Sequence, residues 1–139
     1  MLAHASAMDD MYTLAIDRPG NLIEVALTGF WRREATEAFC EEMRGHIATL
    51  GTGVGQHVLL CNLSGASVAP ADTIAVLAQI LASPAFAGIR ARRIAFYTPS
   101  ALLRLQMARV TGVRDGIAVF ETRADAEAWL VEGSVSAAA

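Results

Sequence analysis

The side chains best suited to acid–base or metal chemistry in this sequence are three histidines, His4, His46 and His57. His4 lies in a segment with no regular hydrophobic period, His46 borders the apolar stripe of a predicted helix, and His57 enters a predicted strand. Nucleophilic catalysis needs a nucleophile, a base and an orienting group that converge, and the sequence contains no GxSxG, HExxH or P-loop motif. We therefore expect a protein that is not an enzyme.

The sequence also predicts no bound metal and no cofactor. His57 and Cys61 share one face of a predicted strand, but two ligands do not make a zinc site. Cys40 and Cys61 are isolated, which favours buried thiols in a reducing cytoplasm over a disulfide. The glycine-rich segment 51–55 follows a predicted helix and precedes a strand, the reverse of the dinucleotide-binding order, so we interpret it as a turn.

The composition predicts one globular domain. In 139 residues the chain is 54% hydrophobic and 18% charged, which excludes a disordered segment and allows a real core. The net charge is −3, and all eleven basic residues are arginine, which indicates an arginine-rich genome rather than a nucleic-acid surface. We therefore expect no nucleic-acid partner.

No segment of the sequence is suited to membrane insertion or export. Polar residues interrupt residues 2–11, so this region does not have the apolar core of a signal peptide. The longest apolar stretch, residues 74–82, contains Gln79 and is too short to cross a bilayer. We expect a cytoplasmic protein without a transmembrane segment.

The other elements are expected to be arranged around one strand–loop–helix stretch in the middle of the chain. Residues 58–61 are continuously apolar and stop at Asn62, which predicts a strand buried on both faces. Ser64 belongs to the predicted loop, while Pro70 and Asp72 favour a helix start, where an aspartate oxygen can accept an unpaired backbone N–H. A loop between a strand's carboxyl end and a helix N-terminus is where α/β sheets usually place function.

The remaining segments predict an α/β domain. Alternating apolar residues at 12–17 and 22–27, on either side of a turn, predict a β-hairpin, and strands and helices alternate after it. The predicted order is ββαβαβαβα, a five-stranded mixed sheet with an N-terminal hairpin, then β-α repeats, and about four helices. We assign residues 12–132 to this domain, 1–11 to a loose leader and 133–139 to a frayed tail.

This order, together with the segment CNLSGASVAPADTIAVL, resembles the STAS domains, the fold of bacterial anti-sigma factor antagonists such as SpoIIAA and of the cytoplasmic tails of sulfate transporters. The resemblance covers about residues 12–130. Residues 62–65, NLSG, are similar to the family's Asp-Leu-Ser-Gly, and residues 70–73, PADT, fall where the family has Asp-Ser-Ser-Gly at a helix start. The resemblance implies a STAS/SpoIIAA-like fold and a regulatory module that binds a protein partner.

The second serine of that family motif is phosphorylated by a partner kinase, and Asp72 occupies its place in this sequence. Phosphoserine adds about −1.5 to −2 charge reversibly, whereas the charge of an aspartate is permanent. We therefore expect that Asp72 is not a phosphorylation switch and that a partner recognises either its fixed charge or a neighbouring group. Ser64 and Thr73 are the remaining phosphorylation candidates. A simpler alternative is that Asp72 only caps the helix.

The helix that contains Asp72 has almost no polar face. Its large apolar residues are Ile74, Val76, Leu77, Ile80 and Leu81. Such a helix is covered by its own chain, by a second subunit, by a protein partner or by an apolar ligand, and we predict a homodimer through it. The predicted partner-binding residues are Ser64, Asp72, Thr73, Val76, Leu77 and Ile80. The alternative function is binding of a small apolar or lipid-like ligand between the apolar helices and the sheet.

Overall fold

One mixed β-sheet organises the chain in a computed structural model, which describes residues 2–3 and 11–138, with side chains described over residues 11–132. The strands lie in the sheet in the order of the sequence. They are β1 (Leu2–Ala3), β2 (Tyr12–Asp17), β3 (Leu22–Gly29), β4 (Val58–Ala66), β5 (Arg93–Tyr97) and β6 (Ile117–Phe120). The first three strands pair antiparallel and β3 to β6 pair parallel. The five-stranded mixed sheet predicted from Tyr12 onward is confirmed, and β1 adds a two-residue edge to it.

Four helices follow the strands in the predicted order. They are α1 (Arg33–Ala48), α2 (Ala71–Ala82), α3 (Ala101–Thr111) and α4 (Arg123–Ala138). The Oγ of Ser100 accepts the backbone N–H of Leu103 at 3.1 Å, and the Oγ1 of Thr122 accepts that of Asp125 at 3.2 Å, so side-chain caps fix the starts of α3 and α4. Short 3-10 helices lie at Gly51–Gly53 and Pro84–Ile89, and the first confirms that segment 51–55 is a turn.

The helices cover both faces of the sheet. The larger core lies between the sheet and α1, α2 and α3, and includes Leu59 and Phe96 from the strands and Ile74 from α2. The smaller core lies under α4, where Leu60 of β4 packs near Leu130. Because successive strand residues point to opposite faces, the continuous apolar run at the start of β4 supplies both cores, as predicted for a strand buried on both faces.

Strand β4 is longer than the sequence predicts, because it continues through Asn62 to Ala66. The neighbouring strand β3 extends to Gly29 and pairs with this part of β4, after an irregularity in register between Ala26 and Thr28. The side chain of Asn62 accepts the backbone N–H of Ser64 at 2.8 Å, a local contact typical of turns that here sits inside a paired strand. The loop-forming residues therefore belong to the end of the strand.

The predicted chain termini are only partly described. Residues 1 and 4–10 of the predicted leader lie outside the described residues, and β1 belongs to the same segment. The predicted tail overlaps α4, whose backbone is helical through Ala138. The domain limits at 12 and 132 thus stay a prediction. Over the residues that the structure describes, each helix is too short or too polar to span a membrane.

Candidate functional site

Four parallel strands, β3 to β6, end at one edge of the sheet, which we call the carboxyl edge. The loops after β3 and β4 are joined there, because the N–H of Ser67 donates to the carbonyl of Gly29 at 2.9 Å. Gln106 of α3 holds the β4–α2 loop from the other side. Its Nε2 donates to the carbonyl of Ala69 at 2.6 Å, and its Oε1 accepts the N–H of Ala69 at 3.0 Å. The loop that precedes α2 is therefore fixed on both sides.

Asp72 lies at this edge, exposed, in the first turn of α2. The prediction that it caps the helix is wrong, because the capping position is Pro70, and no side chain makes a capping hydrogen bond there. Pro70 has the extended backbone expected of a capping residue and Ala71 begins the helix, so Asp72 is already inside the first turn. Its negative charge still lies where the helix dipole favours an anion.

The two phosphorylation candidates have different environments. Ser64 is exposed near the end of β4. Thr73 is 4% exposed, and its Oγ1 donates to the carbonyl of Trp31 at 2.9 Å, which ties the start of α2 to the start of α1. A kinase could not reach the Thr73 hydroxyl without displacing α2. Phosphorylation at either residue stays a prediction, and the folded structure leaves Ser64 as the accessible candidate.

Of the alternatives that the sequence left open for α2, the structure supports cover by its own chain. Its Ile74 and Val76 are buried, and Leu77 and Leu81 are partly buried against the core. The helix lies between α1 and α3, which contact it on either side, so its own chain covers it. The burial of α2 therefore removes the physical argument for a homodimer through this helix, and dimerisation stays an untested prediction.

Large exposed apolar side chains lie elsewhere. Over residues 11–132 they are Phe30, Val68, Leu102, Leu105 and Val131. The first four come from loops and the first turns of a helix at the carboxyl edge, and we call them the edge patch. The guanidinium of Arg32 lies 5.4 Å from the ring centroid of Phe30 and borders this patch. Sequence reasoning missed the edge patch, although the apolar residues on α3 outside its buried face were a usable signal.

Two apolar cavities lie beneath α2. The large cavity, of about 100 Å³, lies between α1, α2, the sheet and the segment that ends at Ala91. The small cavity, of about 80 Å³, lies closer to the carboxyl edge, next to Ala69 and Met107. Four residues line both cavities: Phe39, Cys61, Leu77 and Phe96. Of the predicted partner-binding residues, Thr73, Leu77 and Ile80 line one or both of them, which is the arrangement that the alternative function requires.

Both cysteines line the large cavity as free, buried thiols. Burial raises the pKa of Cys40 to about 12, with smaller contributions from the charges of Glu37 and Glu41. Burial likewise raises the pKa of Cys61 to about 12, and Cys40 adds to it. The thiols are therefore protonated at neutral pH, and the thiolate, which is the form that acts as a nucleophile or metal ligand, is scarce.

The histidines of the described segment have structural surroundings. His57 is fully buried, its Nδ1 accepts the N–H of Gly55 at 3.1 Å, and burial lowers its pKa, so it is neutral. The Nε2 of His46 lies 3.4 Å from the hydroxyl of Tyr12, which donates to Glu42 at 3.1 Å. Within residues 2–3 and 11–138, no three potential ligands come together to hold a metal ion.

Comparison with known proteins relates the chain to one fold. No protein-family model matches the sequence, and no curated protein matches it. A crystal structure that resembles it is that of an uncharacterized DUF3478-family protein with a SpoIIAA-like fold from Shewanella loihica. The two chains superpose with a TM-score of 0.60 at 15% identity, over 86% of this chain and 94% of the other. The chain therefore has a SpoIIAA-like α/β fold, which confirms the resemblance inferred from the sequence.

Proposed function

We propose that the chain is a non-catalytic regulatory module that binds a protein partner through the carboxyl edge of its sheet. The observation that carries this proposal is the edge patch, where four of the five large exposed apolar side chains described over residues 11–132 lie. Large apolar side chains exposed to water are costly, and several of them at one edge of a sheet are typical of interaction sites. The partner surface is correspondingly apolar at its centre.

The rigidity of the carboxyl edge supports the same proposal. The bonds from Gln106 to Ala69 and from Ser67 to Gly29 hold the loops in one conformation, so little conformational entropy is lost when a partner binds. Asp72 adds a permanent negative charge at the same edge of the sheet. We propose that recognition at this edge is constitutive, because the residue at the family's phosphorylation position carries a fixed charge.

Charge substitutions in the patch test this proposal. Leu105→Glu and Val68→Asp place a charge on exposed positions, so they leave the fold intact and remove partner binding. Val131→Glu is the matched control, because Val131 is 60% exposed on α4, which covers the other face of the sheet. We expect quantitative mass spectrometry to identify proteins that the wild type and Val131→Glu capture from the host lysate. Neither patch variant is expected to capture them.

Two outcomes contradict this proposal. Equal capture by the wild type and the patch variants shows that the edge patch binds no partner protein. A dimer in sedimentation equilibrium that Leu105→Glu dissociates shows that the patch binds a second copy of the chain instead. Thermal unfolding of each variant shows beforehand that it is folded.

A second candidate function is the binding of a small apolar ligand, and the paired cavities under α2 favour it. Their lining is almost wholly apolar, and an apolar cavity of about 150 Å³ in another protein binds benzene. Native mass spectrometry of freshly purified protein tests this function. A co-purified small molecule is expected. If it is lost in a variant whose cavities are filled, such as Leu77→Trp, the molecule binds in the cavities.

A further inference from the structure

The large cavity combines an apolar interior with positive charge. Its charged lining residues are Arg44 of α1, Arg90 after the second 3-10 helix and Arg114 before β6. Its lining contains no acidic side chain, and the small cavity is lined by no charged side chain at all among the described residues. The three positive charges therefore lie at one end of the paired cavities.

Two of these arginines form no ion pair with residues 11–132. Arg44 forms an ion pair with Glu41, 3.3 Å from Nη1 to Oε1. For Arg90 and Arg114, by contrast, no carboxylate of residues 11–132 lies within ion-pair distance. Burial lowers the pKa of Arg114, and the charge of Arg90 lowers it further, so the two guanidinium groups are close enough to repel each other. An anion between them would relieve this repulsion.

The Arg114 side chain is held in place by backbone carbonyls. Its Nη1 donates to the carbonyl of Asp115 at 3.0 Å and its Nη2 to that of Ala91 at 3.4 Å. Its Nε is buried and has no hydrogen-bond partner in the described part of the chain. A buried N–H without a partner is costly, and a carboxylate is the acceptor that a guanidinium binds best.

We propose that the large cavity binds a small amphipathic carboxylate, with its hydrocarbon chain under α2 and its carboxylate at Arg90 and Arg114. This inference rests on the second candidate function and names its ligand class. The cavity volumes of about 100 and 80 Å³ favour a medium-length chain over a long-chain lipid. Movement of Leu77, which lines both cavities, would give such a chain access to both.

Calorimetry with octanoate and 1-octanol tests this inference, because the two probes share a chain length and differ in charge. Octanoate is expected to bind about tenfold more tightly than octanol. Arg114→Met and Arg90→Met each weaken octanoate about tenfold and leave octanol unchanged. Arg109→Met is the matched control, because Arg109 is exposed on α3 and lines neither cavity. If Arg114→Met fails to fold, Arg90→Met still tests the carboxylate site, because Arg90 is exposed.

The remaining outcomes separate this inference from the function on which it rests. Equal affinity for octanoate and octanol overturns the carboxylate site and leaves an apolar ligand site. If octanoate binds more tightly than octanol but neither arginine variant changes its affinity, the assignment to this cavity is overturned. No binding of either probe overturns both the carboxylate site and the ligand-binding candidate. None of these results bears on the edge patch, whose test uses different residues.

Discussion

The hydroxyl of Thr73 links two helices through one hydrogen bond, to the carbonyl of Trp31. Thr73→Val keeps the shape of the side chain and removes the donor, so a buried carbonyl loses its partner. We expect the free energy of unfolding to fall by about 1–3 kcal/mol. Urea denaturation measures it, with Ser64→Ala as the exposed control, expected to change stability by less than about 0.5 kcal/mol. A neutral Thr73→Val would show that this bond contributes nothing to the α1–α2 arrangement.

His57 makes stability depend on pH. Burial lowers its pKa in the folded state below 6.5, the value of an unperturbed histidine. Below pH 6.5 the unfolded chain therefore binds a proton that the folded chain does not, so stability falls as the pH falls through this range. His57→Asn keeps an acceptor for the N–H of Gly55 and does not titrate. Denaturation between pH 5 and 7 is expected to give a smaller slope for His57→Asn than for the wild type.

At the scale of elements, local patterns predicted most of the fold. The alternation in β2 and the apolar run at the start of β4 each depend on neighbours in sequence, and each was found where predicted. Two features that depend on distant residues were not predicted. The end of β4 was misplaced because β3 extends alongside it, and the cover of α2 was left open because α1 and α3 supply it. Periodicity shows that a helix is apolar but not which elements enclose it.

The pairing of β3 with the end of β4 depends on Gly65. A Cβ at this position would lie 2.8 Å from the Cγ2 of Thr28 and 3.4 Å from the carbonyl oxygen of Leu27. Gly65→Ala is therefore expected to destabilise the fold by about 1–3 kcal/mol through overpacking. In a Thr28→Ser background, which removes Cγ2 and keeps the hydroxyl, the cost should largely disappear. A double-mutant cycle by urea denaturation measures this coupling, and additive effects would contradict the contact.

At the scale of the whole molecule, the alternative function inferred from the sequence required a pocket between apolar helices and sheet, but the sequence did not indicate its charge. Arg44, Arg90 and Arg114 are separated by long stretches of sequence and come together only through the fold. The edge patch was missed for a related reason. Phe30 and Val68 follow different strands, and these strands end at the same edge of the sheet because they run parallel. Sites of this kind are properties of the strand order, which residue spacing alone does not give.

Because both cysteines line the large cavity, their labelling rates report whether the cavity opens to solvent. Because their pKa is raised to about 12, roughly one thiol in ten thousand is ionised at pH 8, and both are buried. We therefore expect an aromatic disulfide reagent to label neither Cys40 nor Cys61 within minutes in native buffer, and both rapidly in urea. The single variants Cys40→Ala and Cys61→Ala assign each rate. If Cys61 is labelled rapidly in native buffer while the far-UV circular dichroism is unchanged, α2 separates from the sheet without global unfolding, and the cavities are open to ligands on that time scale.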